Sequence, residues 1–464
     1  MSALADRHGP FARTIRMRDA IRVAAILGVM ASAIPQVAEA RGGVGGMAEA
    51  DATSLSGLGV EAPFGNPATL AWDRSLCIGA GSAAAQVQND TYDWDDYRRW
   101  NGARWSEADK REILSRIQDD HVHGRFETGL HLPAVAYAGW AVTTRCVQAA
   151  VLDVPRDYAE LVLFGNRLGQ NLLLPASTGE GVSFLDVAVS HGRRLASFGS
   201  FDLAGGVNAH WLQGGEIYEL LETHGSLVTS IDVLDGEIVA TSRTADGGHG
   251  TAFDLGIALL SRESSPQADA RSGSRSESST DETGTEHPAD RILDGVHGPY
   301  EVGLTVRNIA GSIRWSKDPR THIDRAAADS LTLEGTGEGD LLETFSGSSR
   351  IGSFTRDLPL EVTTAVALWI AEARCEIDWT QGLGEGPLVT ETARVALGTS
   401  FHHWSSVTPR AGLAIGGIDG PVLAGGLRLH FWRCSLDLAY QSLGSFHVFL
   451  PKGVGVGAAL TIRP

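Results

Sequence analysis

Apolar and polar residues alternate along most of the chain with a period of two. In FDLGIAL, for example, Phe253, Leu255 and Ile257 alternate with Asp254 and small residues. The stretches FETGLHL (126–132), EVGLTVR (301–307), RCEIDWT (374–380) and SLDLAYQ (435–441) repeat the pattern. Because successive side chains of a strand point to opposite faces, these segments are predicted to be half-buried strands. We count about 14 such segments, so the chain is predicted to be all-β.

The two faces of the predicted strands differ in composition. One face is almost uniformly apolar, and the other mixes charged residues with Gly, Ala, Ser and Thr. In a soluble sandwich the apolar face points into a core, whereas in a transmembrane barrel it points to lipid and the polar face lines the lumen. The long run of strands up to the chain end favours a transmembrane antiparallel barrel of about 14 strands.

Several tryptophans stand near the ends of predicted strands. This placement fits the aromatic girdles at the two membrane surfaces, and ordinary core packing is the alternative. The residues concerned are Trp72, Trp105, Trp211, Trp315, Trp404 and Trp432.

Helical signals are few and fall between strands. Residues 106–117 begin with Ser and acidic residues, and residues 155–166 begin with Pro and end with Gly-Asn, so each is predicted to be a short loop helix. The uncharged stretch 128–144 contains Pro133 and is predicted to form two strands rather than a membrane helix. Asp235-Gly236 is predicted to be a tight hairpin turn.

The first forty residues predict export. A basic stretch precedes the apolar run 23–34, and Ala38-Glu39-Ala40 provides small residues at a cleavage site, so residues 1–40 are predicted to be a secretory signal peptide. The following RGGVGGMAEADA matches a dinucleotide-binding pattern, which requires a strand before the glycines. Cleavage after Ala40 leaves no such strand, and the nucleotide interpretation fails.

Composition and motifs exclude several function classes. The net charge of −18 argues against a nucleic-acid partner. No hydrolase or metal-binding motif occurs, so we predict neither an enzyme nor a cofactor nor a metal site. His121 and His123 are expected to diverge, and the acidic stretch 89–96 is predicted to be a solvated loop rather than a Ca²⁺ site. The four cysteines form no CxxC pair, which leaves disulfides and free thiols both open.

Short motifs of the chain resemble FadL-like outer-membrane barrels. The matching stretches are the glycines from Gly42 to Gly46, Asp51-Ala52-Thr53 and Asn66-Pro67-Ala68. The resemblance implies a barrel whose N-terminal segment folds into the lumen as a plug, and a function in carrying hydrophobic compounds or in secretion machinery. Two features depart from the family: residues 54–62 lengthen the spacing, and the chain ends in LTIRP rather than in an aromatic residue.

These observations together predict the organisation of the chain. The signal peptide (1–40) precedes a plug segment (41–72), the first part of the barrel (73–260), a disordered low-complexity loop (261–298) and the second part of the barrel (299–464). Within the plug, glycines are expected to supply positive φ angles or close backbone approach, with Gly45 among the former, and Glu49 is expected to be exposed. The residues assigned to the plug are Gly42, Gly43, Gly45, Gly46, Asp51, Asn66 and Pro67.

The predicted location is the cell outer membrane, with its lipid as partner. Passive uptake of a small hydrophobic ligand is the favoured function. A structural or secretion-associated barrel without transport is the alternative, because a fold does not fix a function.

Overall fold

Twenty β-strands make up most of the chain that the computed structural model describes, residues 43–166, 168–230, 233–261, 300–332 and 343–464. The predicted signal peptide, Gly42 and all but the first residue of the predicted disordered loop lie outside these ranges. The strands are β1 (Cys77–Asn89), β2 (His121–His131), β3 (Ala134–Tyr137), β4 (Trp140–Pro155), β5 (Asn171–Leu174), β6 (Thr178–Phe198), β7 (Phe201–Thr229), β8 (Val233–Ala245), β9 (Gly248–Ser261), β10 (Tyr300–Trp315), β11 (Arg320–Thr332), β12 (Glu343–Arg350), β13 (Phe354–Asp357), β14 (Glu361–Ile370), β15 (Ala373–Gly382), β16 (Arg394–Phe401), β17 (Val407–Gly416), β18 (Val422–Phe431), β19 (Cys434–Leu443) and β20 (Gly453–Ile462).

The 20 strands close into an antiparallel barrel with 14 wall strands, here called staves. Each stave is one strand or two or three strands in line. Five staves are interrupted and consist of β2 with β3, β5 with β6, β8 with β9, β10 with β11, and β12 with β13 and β14. The first and last strands, β1 and β20, pair from Ile78↔Ile462 to Gln88↔Gly453, which closes the barrel and leaves no free edge there. The predicted fold class and strand number are confirmed.

The two ends of the barrel differ. At one end, here called the turn rim, connections of two residues join β3 to β4, β6 to β7, β14 to β15 and β18 to β19, and β1 begins and β20 ends there. The ends Ser261 of β9 and Tyr300 of β10, between which lie residues outside the described ranges, also stand at the turn rim, because Ser261 pairs with Phe201 at the start of β7. The opposite end, the loop rim, carries the connections that contain α2, α3 and α4. There β5, β7, β8, β11 and β12 extend the wall as a sheet. The turn predicted at Asp235-Gly236 is wrong, because both residues pair with β7 inside this extension.

Four α-helices occur in the described ranges: α1 (Gly43–Ala48), α2 (Trp94–Trp100), α3 (Glu107–Ser115) and α4 (Arg156–Phe164). Helix α3 begins after the Ser106 cap, and α4 ends at Gly165 with φ +68°, as the sequence signals predicted. No helix in the described part of the chain is long and apolar enough to cross a membrane.

The alternating apolar and polar residues of the strands form an apolar outer face and a mixed inner face of the barrel. Along β9, Phe253, Leu255 and Ile257 are exposed on the outside, whereas Asp254 and Ala258 are buried inside. Trp211, Trp404 and Trp432 are also exposed, as expected for girdle residues, but Trp315 is 0 % exposed and lies in the interior. For Trp315 the core-packing alternative is therefore the correct one.

Candidate functional site

The N-terminal segment, residues 43–72, occupies part of the barrel interior. It consists of α1, a 3-10 helix over Gly59–Phe64 and a second 3-10 helix over Pro67–Ala71. Helix α1 packs on β18, β19, β20 and β1, whereas the second 3-10 helix packs on β6, β7 and β9 across the lumen. The segment thus runs from one side of the wall to the other. Met47 and Leu70 are fully buried, whereas Phe64 and Trp72 are half-buried.

Inward-facing glycines in the wall make room for this segment. A Cβ atom added at Gly426 would lie 2.5 Å from the Ala48 Cβ, and one added at Gly398 would lie 2.9 Å from the Ala52 carbonyl oxygen. Added Cβ atoms at three further positions would overlap the segment outright. These positions are Gly412 against the Glu49 backbone, Gly206 against the Pro67 backbone and Gly256 against the Asn66 side chain. The wall therefore fits the segment's backbone closely, which only glycine permits at these positions.

The glycines within the segment serve two purposes. Gly43 and Gly59 have positive φ angles of 70° and 63°, which favour glycine. Gly45 and Gly46 lie inside α1 without a positive φ, and a Cβ on Gly45 would lie 2.7 Å from the Arg410 guanidinium. The expectation that Gly45 supplies a positive φ is thus wrong, because Gly45 has ordinary helical backbone and its nearest neighbour is the end of the flexible Arg410 side chain.

Asn66 and Pro67 anchor the second 3-10 helix in the wall. The Asn66 side chain accepts a hydrogen bond from Ala68 N (2.9 Å) and donates to the carbonyls of Ile257 (3.0 Å) and Leu304 (3.3 Å). Pro67 occupies the first turn of the helix, where a missing N–H has no consequence. This turn therefore bridges two neighbouring wall strands, β9 and β10.

Arginines of the wall hold the acidic residues of the segment. Arg394 donates to Asp51 (3.0 Å) and Arg428 donates to Glu61 (2.6 Å). Arg410 Nε lies 3.4 Å from the Glu49 carboxylate. Glu49 is only 2 % exposed, so the expectation that it is exposed to solvent is wrong. Burial raises the pKa of Glu49 above its ordinary value, and nearby arginines oppose that shift only in part.

Carboxylates of the wall bind the middle of the segment. Asp378 accepts hydrogen bonds from both the backbone N (3.1 Å) and the hydroxyl (2.6 Å) of Ser54, and Glu376 accepts one from Leu55 N (2.7 Å). On β10, Arg307 donates to the carbonyls of Phe64 and Gly65. No local sequence pattern reports these contacts, because the residues that form them lie between 242 and 324 positions apart in the chain.

The rest of the interior near the loop rim is filled by the wall itself. An apolar layer, defined by Val147, Phe184, Leu212, Ile217, Ile313 and Trp315, packs inside β4, β6, β7 and β10. Next to it on the inner face, the imidazole of His210 lies between Asp186 and Asp254, 2.9 Å from each carboxylate. Asn208 joins this cluster to the segment by donating to both Asp254 and the Pro63 carbonyl.

A cavity of about 620 Å³ opens toward the loop rim. Its lining combines aliphatic side chains with charged ones: Val151, Leu152, Leu220 and Ile418 with Asp153, Glu180, Glu219, Arg243 and Arg356. Arg356 pairs with Glu180, and the Arg243 guanidinium lies 4.0 Å from the ring centre of Phe354, which packs against the apolar layer. The cavity thus adjoins the apolar layer through this residue.

The paired histidines of β2 contact a carboxylate of the neighbouring strand β4. His121 and His123 share one face and contact the same Asp153 oxygen at 2.8 and 3.2 Å, so the expectation that they diverge is wrong. Residues two apart in a strand point the same way. Within the described ranges no group of three or more His, Cys, Asp or Glu side chains is arranged to hold a metal ion. All four cysteines are free.

Several wall strands have a shift of pairing register, and β10 has two shifts close together. In β10 the pairing register with β9 shifts on both sides of Ile309, and Asn308 and Ala310 have positive φ angles. Side-chain and loop hydrogen bonds bridge the interruption: Asn308 donates from its backbone N to Asp254 and from its side chain to the Pro359 carbonyl. All neighbouring staves of the described barrel remain paired.

No protein-family model and no curated protein matches the sequence. Solved structures with a similar fold include a FadL homologue of Pseudomonas aeruginosa, at 13% identity and TM-score 0.45, covering 92% of this chain and 100% of that one. The toluene transporter TbuX of Ralstonia pickettii is 10% identical with TM-score 0.43, over 87% of this chain and 94% of that one. The toluene transporter TodX of Pseudomonas putida is 11% identical with TM-score 0.41, over 92% and 99%.

Proposed function

We propose that this chain is an outer-membrane channel for passive uptake of small hydrophobic compounds, and that the N-terminal segment is its plug. The observation that carries the proposal is the 620 Å³ cavity, which adjoins the apolar layer inside the lumen. A pocket of this size suits a small ligand, and aliphatic lining favours an apolar one. The turn rim, where β1 begins and β20 ends, faces the periplasm in this proposal.

The outer face supports the membrane location. Apolar side chains such as Leu255 and Leu397 stand exposed in the middle of the strands, and an exposed apolar surface of this extent is unfavourable in water. Lipid solvates such a surface, and the closed ladder of hydrogen bonds satisfies the backbone there. The barrel is therefore suited to lie in the outer membrane with its lipid as direct partner.

The plug must move for a compound to pass. The second 3-10 helix and α1 fill the lumen between the apolar layer and the turn rim, and the ion pairs to Asp51 and Glu61 hold them. Because the wall closes through β1 and β20 without help from the segment, its removal is expected to leave the barrel intact.

The test compares the purified wild-type barrel with a variant lacking residues 43–62. Both are reconstituted in liposomes, and entry of a small apolar probe such as naphthalene is followed by fluorescence. We expect the variant to keep its heat-dependent shift in gel mobility and to admit the probe faster than the wild type. An equal rate for both, with intact barrels, contradicts the plug.

A barrel without transport is the second candidate, and one observation favours it. Every neighbouring pair of staves is hydrogen-bonded, and charged side chains line much of the lumen. Such a wall offers an apolar compound no direct way into the bilayer. If neither the wild type nor the deletion variant admits the probe above the rate of empty liposomes, this candidate replaces uptake.

A further inference from the structure

Five large apolar side chains form an exposed patch at the loop rim. They belong to α2, which lies between β1 and β2, and to the loop 444–452 between β19 and β20. Trp94 is 50% exposed, Tyr97 53% and Phe449 76%, with Phe446 and Val448 also exposed. We infer that this rim patch, Trp94, Tyr97, Phe446, Val448 and Phe449, inserts into the outer leaflet of the membrane. The inference rests on the membrane location proposed above.

The position of the loop carries the inference. Tyr440 of β19 lies on the outer face, because it shares the strand side of Leu438 and pairs with Val456, both of which are exposed outward. The Tyr440 hydroxyl donates a hydrogen bond to the Val448 carbonyl (3.4 Å). The loop therefore folds down over the outer wall rather than into the lumen, and none of the five side chains lines the 620 Å³ cavity.

Helix α2 is held next to the same loop. Trp94 donates its backbone N–H to the Pro451 carbonyl (3.1 Å), and Asn89 at the end of β1 donates its side chain to Lys452 O (2.9 Å). The rings of Trp94 and Tyr97 stack on each other with centres 5.2 Å apart. The two segments thus form one surface above β1, β19 and β20.

Helix α2 is held in place by its own cap and by contacts with α3. Asp93 and Asp96 form a capping box at the start of α2, and Arg99 makes a two-pronged ion pair with Glu112 of α3. Trp100 on the other face of α2 is buried with Leu114. A preformed aromatic surface loses little conformational freedom when it enters a lipid interface.

Continuity with the outer band identifies the occupant as lipid. Below the patch, Val87, Leu438 and Val456 present apolar surface on β1, β19 and β20. Aromatic rings with a polar group are favoured at the boundary between hydrocarbon and headgroups, where Trp94 and Tyr97 would sit. The patch extends the lipid-facing band upward on this side of the barrel.

The experiment uses quenching of tryptophan fluorescence by brominated lipids in reconstituted full-length barrels. Trp94→Phe, Trp211→Phe and Trp315→Phe are compared with the wild type, because Trp211 is exposed on the outer face of the barrel wall and Trp315 is buried inside. We expect the quenched fraction to fall in Trp94→Phe about as it does in Trp211→Phe, and to stay unchanged or rise in Trp315→Phe. As a second probe, Phe449→Trp should add fluorescence that these lipids quench.

Each outcome decides between named possibilities. Loss of quenching in Trp211→Phe alone, together with an unquenched Phe449→Trp, overturns the rim patch and leaves the membrane location intact. The same result with strong acrylamide quenching of Trp94 assigns the patch to water or a protein partner. No change in any variant contradicts the membrane location itself.

Discussion

The two halves of the lumen are filled in opposite ways. On the inner faces of β16 to β18, the wall supplies glycine, as at Gly398, Gly412 and Gly426, and the N-terminal segment supplies the volume. Toward the loop rim, on the inner faces of β6, β7 and β10, the wall supplies its own large side chains, among them Phe184 and Trp315, whereas nearer the turn rim β7 again supplies glycine, at Gly206. Glycine on the inner face of a barrel thus marks the seat of a separate piece of chain, whereas large apolar residues mark a wall that fills itself.

The two halves of the lumen differ in the kind of substitution that destabilises them. The self-filled half is a packed core, in which removing a side chain leaves a cavity. In the other half, the N-terminal segment fits only because the wall carries glycine there. Adding a side chain to the wall is therefore the damaging change in that half. Truncation and enlargement of side chains should therefore act on different halves, with different effects on the N-terminal segment.

Trp315→Ala should produce the largest loss of stability. The side chain is 0 % exposed and packs with Leu212 and Ile313, and such truncations cost about 3–5 kcal/mol. We expect a lower unfolding temperature in detergent but no added ion leak, because the segment does not depend on this side chain. Trp211→Ala, on the outer face, is the control. A leak in Trp315→Ala equal to that of a plug deletion would show that the two halves are not separate.

Gly412→Val should displace the segment. The added side chain would overlap the Glu49 backbone, and overpacking of this kind costs about 1–3 kcal/mol. We expect a glutamate-specific protease to cleave the segment and the conductance in planar bilayers to rise. Gly425→Val is the matched control, because it alters the next strand, where the nearest atom to an added Cβ is 3.9 Å away. Equal protease sensitivity of both variants would refute the seat at Gly412.

The sequence predicted the architecture better than the interior. Alternation in stretches such as 253–259 is a local property, so strand identity and number followed from it directly. The pairing of Arg394 with Asp51 spans 343 positions, and no local pattern reports it. Glu49 and Trp315 were misplaced for the same reason, since burial inside a lumen depends on what the opposite wall and the segment contribute.

Asp235-Gly236 shows how tertiary pairing overrides turn chemistry. Asp-Gly is a strong hairpin signal by itself. Here β7 continues past it to Thr229, and Gly236 is taken into a closely packed strand pair, where a Cβ would lie 2.7 Å from a Leu227 side-chain atom. In this strand pair, Gly236 thus allows β7 and β8 to approach each other closely.

Asn66→Ala should weaken the attachment of the N-terminal segment to the wall, with a smaller effect than Gly412→Val. It removes the bonds to Ala68 N and to two carbonyls on β9 and β10, and leaving those partners unmet costs about 1–3 kcal/mol. Asn66→Asp sharpens the test, because an aspartate still accepts from Ala68 N but no longer donates to Ile257 and Leu304. We expect both to raise amide hydrogen exchange in the second 3-10 helix. Full retention of protection in Asn66→Asp would assign the anchor to the helix cap alone.

Glu49→Gln should give the smallest effect, and one that depends on pH. Burial raises the pKa of Glu49 in the folded protein above its ordinary value, so ionisation disfavours the folded state. This penalty is present above the folded-state pKa and disappears as the pH falls toward the ordinary value. The glutamine variant lacks the penalty at every pH. Its unfolding temperature should therefore match or exceed that of the wild type at neutral pH, and the difference should shrink on acidification. Glu107→Gln, at an exposed position of α3, corrects for the general loss of one negative charge. A wild type that is more stable than Glu49→Gln at neutral pH, with a gap that narrows in acid, would reverse the sign and show that Arg410 more than offsets the burial of this carboxylate.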